Sequence, residues 1–262
     1  MSKKISGTRE WAVANVNCYD GCQHNCRYCY ARNMAMRFGR IADPKDWAEC
    51  HLRESEVKKR RMYRQGTIMF PTTHDITPET MGPCLEVLHK LLAAGNKVLI
   101  VTKPHLSVVE EMCKQFEKYK ESILFRFTIG AFDDGILGYW EPGAPHFLER
   151  FSALKHAFAA GFQTSVSVEP MLDSDHVIDL FYMLEQYVTD AIWIGKMNKV
   201  RLRVPIDNEE DERQVQRIEA GQTDANILRI YKALKQEARV KWKESVKEVV
   251  GLPAATQAGT DA

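Results

Sequence analysis

The sequence predicts an α/β fold, a partial TIM barrel of (β/α)6 type with parallel strands and helices packed outside. Three observations predict it. Short β-rich runs alternate with longer helix-patterned stretches along most of the chain, the order that builds parallel sheets. Six strand–helix units can be read, where a full barrel has eight. No linker-like stretch divides the chain, so residues 1–250 read as a single domain.

Residues 10–17 read as a strand entering a cysteine-rich loop, and Ala31 to Phe38 as the helix leaving it. Pro44 to Tyr63 reads as a polar helix. Thr67 to Phe70 is a short apolar strand, followed by a helix that opens at Thr77-Pro78, with Thr77 as N-cap and proline in the first turn, and runs to Ala94. Gly95-Asn96 stops that helix before the β-rich run Lys97 to Thr102. A helix from about Ser107 to Tyr119 leads to a strand over Ile123 to Ile129. Gly130 to Pro145 reads as a Gly/Pro-rich loop, His146 to Ala160 as a helix and Gln163 to Val168 as a strand. A helix over Ser174 to Tyr187 then precedes the last predicted strand, Asp190 to Ile194. Arg201 to Asn208 reads as a polar connection, Thr223 to Val250 as mostly helical, and residues 251–262 as a disordered polar tail.

The net charge of +1 gives no global field that would mark a nucleic-acid or membrane binder. No apolar stretch approaches the roughly 20 residues a bilayer needs. The first seven residues lack the apolar core of a secretory signal. A cytoplasmic protein without membrane contact is expected. Of seven cysteines, four crowd into the positions from Cys18 to Cys29. A disulfide framework spreads its cysteines, so this clustering points to metal or redox chemistry.

Cys22, Cys26 and Cys29 have the spacing C-x3-C-x2-C. Three thiolates on one compact loop can hold three irons of a four-iron, four-sulfur cluster and leave the fourth iron open. The loop follows a predicted strand and precedes a predicted helix, a junction on the C-terminal face of a parallel barrel where active sites lie. A structural zinc site that includes Cys18 is the plainer alternative, but zinc sites pair C-x2-C knuckles at longer separation. Cys18 itself is either a buried small residue at a strand end or a spare thiol.

With an aromatic before the third cysteine, Cys22-Gln-His-Asn-Cys26-Arg-Tyr28-Cys29 resembles the signature of the radical S-adenosylmethionine superfamily. The wider loop, with Val101-Thr102-Lys103, Glu141-Pro-Gly-Ala-Pro145 and Val168-Glu169-Pro170, is similar to the branch of spore photoproduct lyase and related DNA repair photolyases. The resemblance spans about residues 10–195 and implies a [4Fe-4S] cluster on Cys22, Cys26 and Cys29. It further implies reductive cleavage of S-adenosylmethionine to a 5′-deoxyadenosyl radical that abstracts hydrogen from substrate. It also implies an external one-electron reductant such as flavodoxin or ferredoxin. Tyr28, Thr73, Asp75, Lys103, Arg126 and Thr128 are the implied cofactor contacts. Lys103 corresponds to a lysine near the methionyl carboxylate, Thr73 falls where the family places a hydroxyl near the methionyl amine, and Asp75 is the alternative receiver of that amine, Thr73-His74-Asp75 standing in place of the family's Gly-Gly-Glu. His74, Glu141 and Glu169 are candidate catalytic or substrate-binding residues.

The lyases' hydrogen-donating cysteine near the end of strand two has no counterpart between Thr67 and Thr77. Cys84, the next one downstream, falls inside a predicted helix. The candidate substrates are a nucleic acid or nucleotide and, alternatively, a small molecule or peptide. A rival of another class is a non-catalytic iron–sulfur or zinc protein. His24 either shapes the loop or takes a redox role. His74-Asp75 and Glu169-Pro170 read equally as strand-end turns. Lys58 to Arg61 and Lys199 to Arg203 either hold phosphates or form solvated faces. Tyr139 and Trp140 either cover the barrel mouth or pack.

Overall fold

A computed structural model describes residues 5–260. In chain order its elements are β1 (Ala14–Asn15), β2 (Tyr19–Asp20), α1 (Tyr30–Arg37), β3 (His51–Leu52), α2 (Glu54–Lys58), β4 (Thr67–Phe70) and α3 (Met81–Ala93). There follow β5 (Lys97–Thr102), α4 (Leu106–Gln115), β6 (Ile123–Thr128), α5 (Asp134–Trp140), α6 (Phe147–Ala159), β7 (Gln163–Val168) and α7 (Val177–Leu184). The C-terminal part contributes β8 (Ile192–Ile194), α8 (Val200–Arg203), α9 (Glu209–Gly221), α10 (Asp224–Leu234), β9 (Val240–Trp242) and α11 (Glu244–Val250).

The main sheet has seven strands in the order β1-β4-β5-β6-β7-β8-β9. Every neighbouring pair in it is parallel. The sequence predicts six strands, and the seventh, β9, lies inside the stretch expected to be helical. It is three residues long and packs Val240 and Trp242 into the core. Alternation along the strands separates two faces. Ile68, Phe70, Val98, Ile100, Phe125, Phe127, Val166, Val168, Ile192 and Ile194 belong to the main core under the helices. Met69 and Leu99 bury on the opposite face with Ala12, and Trp11, Val101 and Leu124 pack against them.

The two edges of the sheet approach one another. Trp11, just before β1, lies 5.5 Å from Trp193 on β8, ring centre to ring centre. Glu10 and Lys243, which follows β9, form a buried ion pair at 2.5 Å. Lys243 Nζ also donates to the Gly7 carbonyl at 3.2 Å. The segment Gly7–Glu10, a 3-10 turn, thereby bridges the gap between β1 and β9, and the curved open sheet is a partial barrel.

Three local expectations are corrected. The polar helix over 44–63 breaks into a 3-10 turn at Pro44–Ala48, strand β3 and the short α2. There β3 pairs antiparallel with β2 and seats the root of the cysteine loop. The helix after β4 starts at Met81 rather than at Thr77-Pro78. Thr77 instead closes a turn on Thr80, whose Oγ1 accepts the Thr77 N–H at 3.0 Å. The Gly/Pro-rich stretch contains α5, held by the Asp133 carboxylate, which accepts the N–H groups of Gly135 and Ile136. Residues 251–260 form no regular element, and Gly259 N donates to Arg9 O at 2.8 Å. Residues 261–262 of the expected tail and residues 1–4 of the N-terminal stretch lie outside the described residues.

Candidate functional site

The cysteine loop lies between β2 and α1, at the C-terminal edge of the sheet, where the turns after β4 and β5 also converge. Its entry is Gly21, at φ 97°, where a Cβ would stand 1.9 Å from the Glu49 carbonyl oxygen. Only glycine permits that approach. Asn25, at φ 43°, turns the chain between Cys22 and Cys26, a conformation asparagine tolerates better than most residues. The segment after α5 clasps the loop from outside. Arg27 N donates to Trp140 O at 2.9 Å, and Gly143 N donates to His24 O at 3.1 Å. A Cβ at Gly143 would meet the Gln23 carbonyl oxygen at 2.2 Å.

Cys22 and Cys26 are buried, Cys29 is half-buried, and none of the three is in a disulfide. Burial pushes the Cys22 thiol well above the ordinary range, with the Asp75 carboxylate adding to the effect. Burial pushes Cys26 up to about 12 and raises Cys29 as well. Bare, these sulfurs hold their protons, and a bound cation is what makes them thiolates. Among the described residues, the metal-ligating atoms that gather within 4.8 Å of one another form two sets, Cys18–His74–Cys84 and Cys22–His24–Asp75. Cys22, Cys26 and Cys29 do not converge that tightly. Three soft thiols on one loop, spread wider than one small ion requires, suit the corners of a polynuclear cluster.

Asp75 and Lys103 meet beside Cys22. Asp75 Oδ2 lies 4.0 Å from Cys22 Sγ and 3.6 Å from Lys103 Nζ. Asp75 Oδ1 accepts the Lys103 backbone N–H at 2.8 Å. Burial opposes ionisation of Asp75, but Lys103 and His24 hold the carboxyl well below its usual range. Burial likewise opposes charge on Lys103, but Cys26, Tyr28, Asp75 and Glu141 hold the ammonium well above the usual lysine range. His24 Nδ1 approaches Asp75 Oδ2 at 2.9 Å, an ion-pair distance without hydrogen-bond alignment. His24 Nε2 faces His105 Nε2 at 3.0 Å.

Tyr28 turns its hydroxyl onto Glu141 Oε1. Glu141 Oε2 accepts from Arg150 Nη1 at 2.5 Å, both side chains being fully buried. Burial would raise the Glu141 carboxyl, yet Arg150, Lys103 and Tyr28 keep it lowered. Thr73 is half-buried in the turn after β4, its N–H given to Asn17 Oδ1 at 2.9 Å.

The structure thus brings Cys22, Cys26, Cys29, Tyr28, Asp75, Lys103 and Glu141 together. Other candidates are placed apart. His74 turns toward Cys18, whose backbone N–H it accepts on Nε2 at 3.2 Å. Arg126 lies on the inner face, where Nη2 donates to Asp190 at 3.0 Å and Nε to Ser165 Oγ at 2.9 Å. Trp11 and Trp193 flank its guanidinium at 4.6 and 5.1 Å. Thr128 is buried two residues further along the same face of β6. Glu169, after β7, meets Lys243 at 3.5 Å, and burial raises its carboxyl although Lys243 works the other way. Trp140 is buried and packs edge-on against Tyr139, whose hydroxyl bonds Asp211 at 2.7 Å. Of the further residues His105, Arg150 and Lys243, the last two carry no sequence signal of their own. His105 alone had a usable one, its position two residues past Lys103 at a strand end.

No family model matches the chain. Protein ORF301 of Acidianus two-tailed virus, described as uncharacterized, is 28% identical over 178 residues, covering 64% of this chain and 58% of the viral protein. Streptococcus suis SuiB bound to S-adenosylmethionine superposes with a TM-score of 0.53 at 12% identity, over 89% of this chain and 50% of SuiB. A mutant of spore photoproduct lyase with dinucleoside spore photoproduct gives a TM-score of 0.51 at 16% identity, over 82% of this chain and 63% of the lyase. The chain therefore spans between half and two thirds of the length of each of these proteins. It shares its fold, a partial barrel of parallel strands with helices outside, with SuiB and with spore photoproduct lyase.

Proposed function

We propose that the protein is a radical S-adenosylmethionine enzyme. The observation that carries this reading is the meeting of three disulfide-free thiols, Cys22, Cys26 and Cys29, with a charged pair, Asp75 and Lys103, on a fold shared with S-adenosylmethionine-bound SuiB. The donor set fits a [4Fe-4S] cluster, because soft thiols free of disulfides are its usual ligands. When bound, the cluster and S-adenosylmethionine supply the electron and the carbon radical that removes hydrogen from substrate. An external flavodoxin or ferredoxin is the proposed reductant.

The chain's own residues bind and orient. Lys103 offers an ammonium to the methionyl carboxylate, and Asp75 a carboxylate to the amine. Glu141 fixes the Tyr28 ring beside the last cysteine, and Arg150 keeps Glu141 ionised. The clasp of residues 140–143 over the cysteine loop limits water at the sulfurs.

The proposed substrate class is a nucleic acid or nucleotide, on the likeness to a lyase that holds a dinucleoside. Cys84 points away from the mouth toward Cys18, so a lyase-type hydrogen-donating thiol from this position is not part of the proposal. A small molecule or peptide is the second reading, favoured by one observation. The basic runs are largely neutralised, with Lys58 on Glu54, Lys59 and Arg61 on Glu56, and Arg201 on Glu212 and Glu219. Filter binding to single- and double-stranded oligonucleotides against salt separates the two. The enzyme reading is tested by anaerobic reconstitution. Iron, sulfide and 5′-deoxyadenosine formation are expected in the native chain and absent in Cys26→Ala. Native protein that takes up no iron contradicts it.

A further inference from the structure

The fourth cysteine of the loop region belongs to a second set of donors on the far side of the β4–α3 turn. Cys18 Sγ lies 3.6 Å from Cys84 Sγ and 3.9 Å from His74 Nε2. The three donor atoms all fall within 4.8 Å of one another, and all three residues are buried. A tetrahedral zinc ion with ordinary bond lengths spaces two thiolates about 3.8 Å apart and a thiolate and an imidazole nitrogen about 3.6 Å apart. The Cys18–Cys84 and Cys18–His74 separations match those edges closely, and the Cys84–His74 edge lies within 4.8 Å.

His74 is also oriented as a ligand. Its Nδ1 stands 3.0 Å from the Asp75 carbonyl oxygen. A carbonyl only accepts, so Nδ1 carries the proton and Nε2 presents its lone pair toward the two sulfurs. A ring nitrogen held by a backbone carbonyl is the usual outer support of a metal-bound histidine. Tyr19 and Phe70 pack edge-on against the ring and fix its plane. Nε2 now accepts the Cys18 backbone N–H. A bound ion would take over that lone pair and leave the N–H the coordinated sulfurs as acceptors.

We propose that Cys18, Cys84 and His74 form a zinc site, distinct from the iron–sulfur triad and independent of it. Cys50, half-buried and near enough to act on the Cys84 thiol through its charge, lies outside the set that falls within 4.8 Å, and the fourth vertex is left to it or to water. The site ties three separate pieces of chain together, the root of the cysteine loop, the turn bearing Asp75 and the first turn of α3. Asn17 already holds the N–H groups of Thr72 and Thr73 from the same root, at 2.7 and 2.9 Å. The ion is thus a staple for the turn that positions Asp75.

The test is zinc and iron analysis of the anaerobically purified, cluster-loaded full chain, with X-ray absorption at the zinc edge. One zinc per chain is expected, with sulfur and imidazole nitrogen in its shell. Cys84→Ser should weaken zinc retention at least tenfold while iron is kept, and Cys18→Ser should do the same. Cys22→Ala should lose iron and keep zinc. The absorption spectrum of the native chain stands even if a serine variant fails to fold. Absence of zinc uptake from added zinc overturns the proposal. So does zinc lost with Cys22→Ala and kept with Cys84→Ser, or a disulfide joining Cys18 and Cys84 in the native chain.

Discussion

At the C-terminal edge of the sheet, Asp75, Lys103 and the Cys22 thiol crowd together below the cysteine loop, whereas on the inner face Arg126 lies between two tryptophans and donates to Asp190 and Ser165. Both regions take charge out of water. On the inner face the Arg126 guanidinium gives Nε to Ser165 and Nη2 to Asp190 and lies against two aromatic rings, so the charge is spent on holding the barrel together. At the edge, burial drives the thiols toward their protonated forms, while Asp75 and Lys103 stay charged against burial because each has opposite or polar neighbours. A buried charge held by its own hydrogen bonds and an ion pair is architecture. Buried thiols whose protons are held tightly, next to a carboxylate and an ammonium, are the pattern of a functional site.

The largest expected effect breaks the comparison at the edge. Cys26→Ala should abolish iron uptake, with 5′-deoxyadenosine formation falling at least 100-fold, while the thermal unfolding of the cluster-free chain changes little. Next is Glu141→Gln, which leaves the Arg150 guanidinium buried without its counter-charge. The expected cost is about 3–5 kcal/mol in a urea melt. Glu141 is held below its unfolded range, so its stabilisation is complete above about pH 4.3. It is lost as pH falls through the lower folded value. The native chain should therefore lose stability in acid with a steeper slope than Glu141→Gln.

Arg126→Met sharpens the comparison from the other side. Asp190 is exposed enough to recover its water, so the loss is mainly the contact with the two rings, about 2 kcal/mol. Iron content and S-adenosylmethionine binding should not change. The smallest effect is Lys103→Met, which should weaken S-adenosylmethionine about tenfold in equilibrium dialysis, roughly 1.4 kcal/mol. Iron content should stay at the native level.

Local order explains which parts of this were legible in the sequence. The strands Thr67–Phe70, Lys97–Thr102 and Gln163–Val168 lie at their expected bounds, because β-branched runs bounded by turn residues carry their own signal. β9 escaped because three residues between charged, helix-favouring neighbours carry none, and only pairing with β8 makes them a strand. α5 escaped because its glycines argue for a loop, and the Asp133 cap outweighs them. In the site, the spacing of Cys22, Cys26 and Cys29 could be read directly, since the loop is local. Arg150 on Glu141, His105 on His24 and Cys84 on Cys18 join residues far apart in sequence. For Arg126, an implied cofactor contact, the register of β6 decides the face, and the side chain lies on the inner face and reaches Asp190, ahead of β8.

The central claim is an open iron on the cysteine triad that binds S-adenosylmethionine, with Lys103 and Asp75 beside it. Its most direct test is electron–nuclear double resonance on the reduced, cluster-loaded protein with S-adenosylmethionine labelled at the amino nitrogen and carboxylate oxygen. The account predicts hyperfine coupling of both labels to the cluster in native protein. A reduced cluster whose spectrum shows no coupling to either label would contradict it.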